Sequence, residues 1–216
     1  MALSKVDFNS INVTPAASKA IKFNSSNNGL ETGDVGGSLV LISEQTASSS
    51  STIDFTSGID STYKEYIFKF INIHPQTNDK IFEFQGSTNG GSSYGVTITS
   101  TAFNAAHNES GSFTEFQYNT YADLAQSTSY QSVGIGRGVG NESNESFCGE
   151  LQIFNPSSTT FVKHFIIRGN EHNHNEITVD GFAAGYFNTT SAINAIQFKF
   201  NSGNIDAGTI KMYGVT

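Results

Sequence analysis

The sequence contains no tryptophan, a single cysteine and only three prolines among its 216 residues. A single cysteine excludes an intrachain disulfide and any Cys-x-x-Cys metal motif. We expect Cys148, which stands between Phe147 and Gly149, to be a small buried apolar residue rather than a nucleophile. The absence of tryptophan disfavours a sugar-binding groove lined by indole rings, although tyrosine and phenylalanine rings can take that place.

Charge is also scarce, because charged residues make up 14% of the chain, against about 25% in ordinary soluble domains. The chain has 11 basic and 19 acidic residues, which gives a formal net charge of −8. Lysine and arginine do not cluster, so no groove for nucleic acid is indicated, and the negative charge disfavours an anionic membrane surface. The first residues lack the apolar core of a signal peptide, and no run is long enough to span a bilayer. We therefore predict neither a nucleic-acid partner nor membrane insertion.

Apolar residues are present in sufficient number for a core, at 37% of the chain with 18 phenylalanines. They occur in short runs typical of β-strands, and almost no stretch has helical periodicity. In residues 196–200, Ile196, Phe198 and Phe200 alternate with polar residues, which indicates a strand with one buried face. Similar runs cover residues 37–43, 65–73, 81–85, 94–100, 113–118, 151–154, 161–168, 177–180 and 209–213.

Turn signals separate these runs, at Ser57-Gly58, Asn89-Gly90-Gly91, Asn155-Pro156, Asp180-Gly181 and Ser202-Gly203. The one stretch that suggests a helical turn is residues 121–126. Short strands with such regular punctuation predict an all-β fold over residues 37–216, namely an antiparallel β-sandwich with a jelly-roll-like outline.

The first 36 residues differ from the rest because they are polar and rich in serine and asparagine. Residues 19–23 predict a short strand, and Asn27-Asn28-Gly29 predicts a turn after it. The segment has too few apolar residues to fold alone. We predict that residues 1–36 are an extended N-terminal anchoring arm that contacts a partner or the main domain through Val6, Phe8, Ile11, Val13, Ile21, Phe23 and Leu30.

The strongest candidate for chemistry is the segment 171–176, which reads Glu-His-Asn-His-Asn-Glu. On a strand, His172 and His174 would point to the same side and could ligate a metal, with Glu171 or Glu176 supplying a carboxylate. A solvated loop, or a subunit contact that depends on pH through its histidines, is the alternative. These two histidines are the only metal candidates, and we predict no cofactor.

Two glycine-rich motifs have structural interpretations. Residues 134–140 match neither a phosphate-binding loop nor a dinucleotide fingerprint, so we interpret the glycines as points in a strand where another backbone approaches closely or the sheet bends. Residues 91–95 fit Gly-x-Ser-x-Gly with Ser93 at the centre, but a turn signal precedes the motif and a β-like run follows it. We predict a turn there, no catalytic residue and no enzymatic activity.

Several strand-and-turn patterns resemble those of β-sandwich proteins from the surface of bacteriophage particles. The similar stretches are residues 38–59, 63–68 and 87–94, together with a closing hairpin over 198–215. Residues 19–31 are similar to phage-fibre segments that lead into a distal domain. The resemblance implies a virion component of the capsid-decoration, head-fibre or tail-fibre type, and it implies an oligomer, most often a trimer.

From these observations we predict a non-catalytic virion structural protein located on the particle surface. The resemblance implies a capsid decoration or cement protein that is anchored by the arm. Its partners would be further copies of itself, as a homotrimer, and the capsid or a fibre shaft. The alternative is a fibre tip for host attachment that binds host-surface glycans. A hydrolase of surface polysaccharide would need a deep cleft with two facing carboxylates.

Overall fold

The computed structural model describes residues 19–26, 28–34, 38–134 and 137–216. The chain divides into two compact units, Met1–Ser38 and Leu39–Thr216. The arm positions Val6, Phe8, Ile11 and Val13 lie outside the described residues. Ile21, Phe23 and Leu30 lie within them.

The described part of the first unit is a β-hairpin. Strand β1 (Lys19–Phe23) pairs antiparallel with β2 (Leu30–Asp34). The backbone N–H of Asn24 donates to the carbonyl oxygen of Gly29 at 3.0 Å and closes the connection between the strands. The predicted strand over residues 19–23 is confirmed.

The described residues of the second unit form twelve strands and contain no helix. In chain order they are β3 (Leu39–Thr46), β4 (Ile53–Phe55), β5 (Glu65–Pro75), β6 (Phe82–Ser87), β7 (Ile98–Asn108), β8 (Thr114–Tyr118), β9 (Gln131–Ser132), β10 (Phe147–Phe154), β11 (Lys163–Asn173), β12 (Ile177–Phe187), β13 (Ala195–Phe200) and β14 (Ile205–Val215).

These strands form two antiparallel sheets. The large sheet has eight strands in the order β3-β14-β5-β10-β11-β12-β7-β8, and the small sheet has four in the order β4-β13-β6-β9. Along β5, β11 and β13 buried and less buried residues alternate, as expected where one face of a strand meets the core. The predicted all-β antiparallel sandwich is confirmed. The jelly-roll outline is not, because the two sheets differ in size and eight strands lie in one of them.

Phenylalanine rings fill the space between the two sheets. Phe198 of the small sheet lies 5.2 Å from Phe70 and 5.3 Å from Phe68 of the large sheet, measured between ring centroids. The ring of Phe147 covers Gly169 so closely that a Cβ there would stand 2.3 Å from the ring. The sheet needs glycine at this position for a steric reason, because any side chain would displace the phenylalanine from the core.

Two local predictions were wrong, and two short strands were missed. Asp180-Gly181 lies in the middle of β12 and makes no turn, since both residues pair with β11 and β7. Residues 121–126 form a non-helical connection. Strands β4 and β9 were not predicted, because segments of three and two residues are too short to show an alternating pattern.

Candidate functional site

The hairpin of the first unit carries an apolar face. Phe23 pairs with Leu30 across the two strands, and Ile21 lies two residues from Phe23, so all three side chains point to one side. Their exposed fractions are 71% for Phe23, 41% for Ile21 and 39% for Leu30. A two-stranded hairpin is marginally stable at best on its own in water. An exposed apolar face on such an element is therefore a candidate surface for binding another protein.

The outward face of the large sheet carries a transverse row of paired residues, one from each strand. We call this the outer row. From β3 to β8 it consists of Glu44, Lys211, Lys69, Glu150, Arg168, Phe182, Phe103 and Tyr118. Only the tertiary pairing brings these eight residues into line, since they come from separate parts of the chain.

The first half of the outer row consists of charged pairs. Lys211 Nζ lies 3.0 Å from a Glu44 carboxyl oxygen, and Lys69 Nζ lies 2.8 Å from a Glu150 carboxyl oxygen. The carboxylate beside Lys211 raises the pKa of that lysine, because it stabilises the ammonium form. Such exposed pairs orient side chains across the sheet more than they stabilise the fold.

The second half of the outer row is aromatic. The guanidinium carbon of Arg168 lies 4.9 Å from the centre of the Phe182 ring, and Phe182 stacks on Phe103 with centroids 5.0 Å apart. Phe116 of the edge strand β8 adds a further ring 5.9 Å from Phe103 and is 74% exposed. This is a row of rings on a solvent-facing sheet, next to a cation.

Where the two halves meet, the surface forms a shallow depression of about 490 Å³. Its lining includes Lys69, Glu150, Arg168, Asn170 and Asp180. Arg168 Nη2 donates to Asp180 at 3.2 Å, so donors and acceptors stand side by side there. The depression combines hydrogen-bonding groups with a neighbouring aromatic face, which are the elements that bind polar ligands such as sugars.

Cys148 also borders this depression and is exposed, so the prediction of a buried cysteine was wrong. Successive residues of β10 face opposite sides of the sheet, and Phe147 occupies the core side. Cys148 therefore faces outward, where its Sγ accepts a hydrogen bond from the backbone N–H of Asn72 at 3.2 Å.

The two histidines predicted as joint metal ligands do not share a site. His172 lies near the end of β11, 3.2 Å from a carboxyl oxygen of Glu176 and 3.8 Å from one of Glu109. His174 lies beyond the end of the strand and contacts Asp79 instead, at 3.3 Å. The predicted same-side geometry was wrong because β11 ends at Asn173. Glu109, which completes the cluster around His172, was not predicted, since it comes from a distant part of the sequence.

Glu171 points away from this cluster, toward the interior. The residue is 1% exposed, and neither of its carboxyl oxygens has a hydrogen-bond partner within the described part of the chain. Loss of hydration on burial raises the pKa of Glu171 well above its usual value, and the positive charge of Arg137 offsets part of that shift. The carboxyl group of Glu171 is thus stabilised in its neutral form and is no metal ligand in this arrangement.

A second buried ionisable group, Lys163, has a structural role. Its Nζ donates to the carbonyl oxygens of Phe161 at 2.9 Å and Thr189 at 3.1 Å. Burial lowers the pKa of Lys163 because it penalises the charged ammonium. The lysine thus ties the start of β11 to the connection that follows β12.

The two glycine-rich motifs have the structural roles expected of them, with one difference. Ser93 lies in an irregular connection, where its hydroxyl oxygen accepts a hydrogen bond from the side-chain amide of Asn89 at 2.9 Å, and no helix follows. The described residues of 134–140 form a loop with an isolated bridge at Val139, not a strand. Close approach is nevertheless confirmed, because a Cβ on Gly138 would stand 2.6 Å from the Asp79 backbone.

Comparisons of the chain with protein-family models, with curated proteins and with solved structures found no significant match. The resemblance to bacteriophage virion proteins stays a prediction. Among the residues that the structure describes, no helix is long and apolar enough to cross a membrane.

Proposed function

We propose that this protein is a non-catalytic structural component of a bacteriophage surface, and that it attaches to the particle through residues 1–36. The observation that carries the proposal is the apolar face of the hairpin, with Phe23 71% exposed between Ile21 and Leu30. The strand-and-turn resemblance to virion surface proteins supports the same conclusion.

The physical basis of attachment is burial of apolar surface. Complete burial of one large apolar side chain contributes roughly 1.5–3 kcal/mol. A single hairpin with three partly exposed side chains would therefore bind weakly. A homotrimer presents three hairpins at once, and linked binding events raise the overall affinity far above that of one copy. We accordingly propose a trimeric capsid decoration or cement protein, with the capsid or a fibre shaft as its partner.

The test compares two phenylalanines of equal exposure, since Phe23 is 71% and Phe161 is 70% exposed. Particles are assembled with the wild-type chain, with a chain lacking residues 1–36, with Phe23→Ser or with Phe161→Ser. Bound protein is then measured after density-gradient separation, and the oligomeric state is measured by sedimentation.

We expect the truncated chain to stay folded and soluble and to be lost from the particles. Phe23→Ser should reduce incorporation, whereas Phe161→Ser should leave it unchanged. Incorporation of the truncated chain at the wild-type level would contradict the proposal, and so would equal losses for the two serine variants.

A second candidate function is recognition of host-surface glycans by a fibre tip. The specific observation in its favour is the shallow depression beside Arg168, where charged and amide side chains adjoin the Phe182 ring. A sugar ring could stack on an aromatic face there while its hydroxyl groups pair with the polar side chains.

A glycan array probed with the purified full chain tests this second function. Binding of one glycan class by the wild type, lost in Arg168→Ala and kept in Phe161→Ala, would support it. An array without signal, or signal that Arg168→Ala leaves intact, would remove the depression as a glycan site.

A further inference from the structure

We propose that Glu109, His172 and Glu176 form a binding site for one divalent transition-metal cation, with Zn²⁺ as the reference ion. The three residues come from the end region of β7, from β11 and from the turn that connects β11 to β12. This inference is independent of the proposed attachment function.

The spacing of the ligand atoms fits a tetrahedral cation. His172 Nε2 lies 3.2 Å from Glu176 Oε2 and 3.8 Å from Glu109 Oε1, and all three ligand atoms lie within 4.8 Å of one another. Bonds of about 2.0–2.2 Å from Zn²⁺ to nitrogen and oxygen place adjacent ligands of a tetrahedron roughly 3.3–3.6 Å apart. A rotation of the exposed Glu109 side chain would bring its carboxylate closer to the other two ligand atoms.

The tautomer of His172 is set for metal binding. Its Nδ1 lies 3.2 Å from the carbonyl oxygen of Asn144, and a carbonyl can only accept, so Nδ1 carries the proton. In the neutral ring Nε2 then holds a lone pair. Metal-ligating histidines commonly have their second nitrogen fixed in this way by a backbone carbonyl.

The Nε2 atom has no other role among the described residues. It is shielded from solvent and forms no hydrogen bond there. Its neighbours are two carboxylates, which also present lone pairs. Three acceptor atoms this close together repel one another unless a cation or a proton lies between them, and imidazole with carboxylate oxygen is a ligand set that suits Zn²⁺ and related metals.

The backbone around the site is held in place. The N–H of Glu109 donates to the carbonyl oxygen of Glu176 at 3.1 Å, so the two loops that carry the carboxylates are tied directly together. The side chain of Asn173 accepts hydrogen bonds from the N–H groups of Asn175 at 2.9 Å and Ile177 at 3.2 Å. Glu176 stands in the turn with a φ of 54°, a left-handed conformation that non-glycine residues seldom adopt. A preformed turn lowers the entropy lost when its carboxylate binds a metal.

The neighbouring histidine provides a matched control. His174 lies 3.3 Å from Asp79, and His74 lies 3.8 Å from Asp206. Among the described residues the metal-compatible cluster of three ligands forms around His172 and not around these two histidines. His172 thus has two carboxylates beside its ring, whereas His174, two residues further along the chain and beyond the end of β11, has one.

The experiment uses the full chain without a polyhistidine tag, freed of metal with a chelator and then dialysed. ZnCl₂ is titrated into the wild type and into His172→Ala, Glu109→Gln, Glu176→Gln and His174→Ala, and binding is measured by calorimetry. Thermal unfolding with and without Zn²⁺ provides a second measurement, because a cation that binds only the folded chain raises its midpoint. Circular dichroism checks that each variant keeps its β-structure.

We expect one Zn²⁺ per wild-type chain and a raised unfolding midpoint, both absent in His172→Ala. Each glutamine variant should bind at least about tenfold more weakly, since even changes around the ligands cost 10–100-fold in affinity. His174→Ala should bind as the wild type does. A flat wild-type titration would overturn the site and leave the cluster as an ion pair. Wild-type affinity in His172→Ala, or an equal loss in His174→Ala, would also overturn it.

Discussion

The two faces of the large sheet are made by alternate residues of the same strands, and they differ in almost every physical respect. On the inner face of β5, Phe68 and Phe70 are fully covered by rings of the small sheet. On the outer face of the same strand, Lys69 is half-exposed and pairs with Glu150. The side chains of adjacent residues therefore enter opposite environments.

The comparison shows where the stability of the fold resides and where binding can take place. Burial of apolar area drives folding, so the inner face should contribute most of the free energy. Charged and aromatic residues are tolerated in the outer row because exposed side chains contribute little to the stability of the fold. Its composition is free to serve an interaction, which is why the outer face carries one of the candidate binding surfaces.

The largest expected effect is in the core that the inner face of the large sheet covers, from Phe198→Ala in β13 of the small sheet. The Phe198 ring contacts five other phenylalanine rings, with centroids between 5.2 and 6.3 Å away. Its removal leaves a cavity between the two sheets, and we expect the free energy of unfolding to fall by about 3–5 kcal/mol. Denaturant unfolding, followed by circular dichroism, measures the change.

Phe116→Ala is the outer-face control for this prediction, because Phe116 is 74% exposed. Its loss should change the free energy of unfolding by less than about 0.5 kcal/mol. Equal losses of unfolding free energy in Phe198→Ala and Phe116→Ala would contradict the conclusion that stability resides in the core and not on the outer face.

The second effect is a pH dependence of stability that arises from Glu171. This buried carboxyl group of the inner face has no hydrogen-bond partner among the described residues. Burial raises the pKa of Glu171 well above its usual 4.5, so the folded chain keeps a proton that the unfolded chain loses. The stability of the wild type should therefore fall as the pH rises from about 4.5 toward the pKa of the folded state. Glu171→Gln cannot lose that proton and should not show this fall.

The difference in stability between the wild type and Glu171→Gln should shift in favour of glutamine as the pH rises, by at most about 1.4 kcal/mol for each pH unit between the pKa values of the unfolded and folded states. Denaturant unfolding at a series of pH values between about 4 and 8 measures it. Glu150→Gln, on the outer face, is the control: it keeps Glu171 and should show the same fall in stability with pH as the wild type. Parallel curves for wild type and Glu171→Gln would contradict the inferred neutral carboxyl group.

The smallest effect is a coupling within the outer row. Phe103 and Phe182 stack with an interplanar angle of 8°. A double-mutant cycle with Phe103→Ala and Phe182→Ala should give an interaction energy of about 0.5–1.5 kcal/mol. Phe103→Ala combined with Phe161→Ala should be additive to within about 0.5 kcal/mol, because Phe161 lies in the connection before β11, whereas the rings in contact with Phe103 are those of Phe116 and Phe182. Additivity in both cycles would mean that the stacked pair contributes nothing beyond each ring alone.

The alternation of apolar residues predicted the sandwich because burial on one face of a strand imposes a period of two on the sequence. It located β5, β6, β8 and β13 closely, since these strands are rich in β-branched and aromatic residues. It predicted only the first part of β12, residues 177–180, and missed the continuation to Phe187, where Gly181 and Ala183 face the core. Small residues give no hydrophobic signal, and the strand continues past Asp180-Gly181 because its neighbours supply the hydrogen bonds.

The candidate sites were predictable only in part. Local sequence predicted strand β1 and the three apolar positions of the hairpin. It also identified His172 as a candidate metal ligand. The ligand Glu109 did not, because it is separated from His172 by 63 residues, the difference between their sequence numbers. The outer row could not be predicted either, since its eight members are neighbours only through strand register.

The sequence by itself determined that this chain is all-β, rich in phenylalanine and equipped with a polar leading segment, because composition and alternation act locally. The tertiary structure alone decided which strands are neighbours, and with them the outer row and the grouping of Glu109 with His172 and Glu176. The reason is that hydrogen-bonded pairing between distant strands depends on global packing, and a change of register by one residue would send each of these side chains to the other face of the sheet.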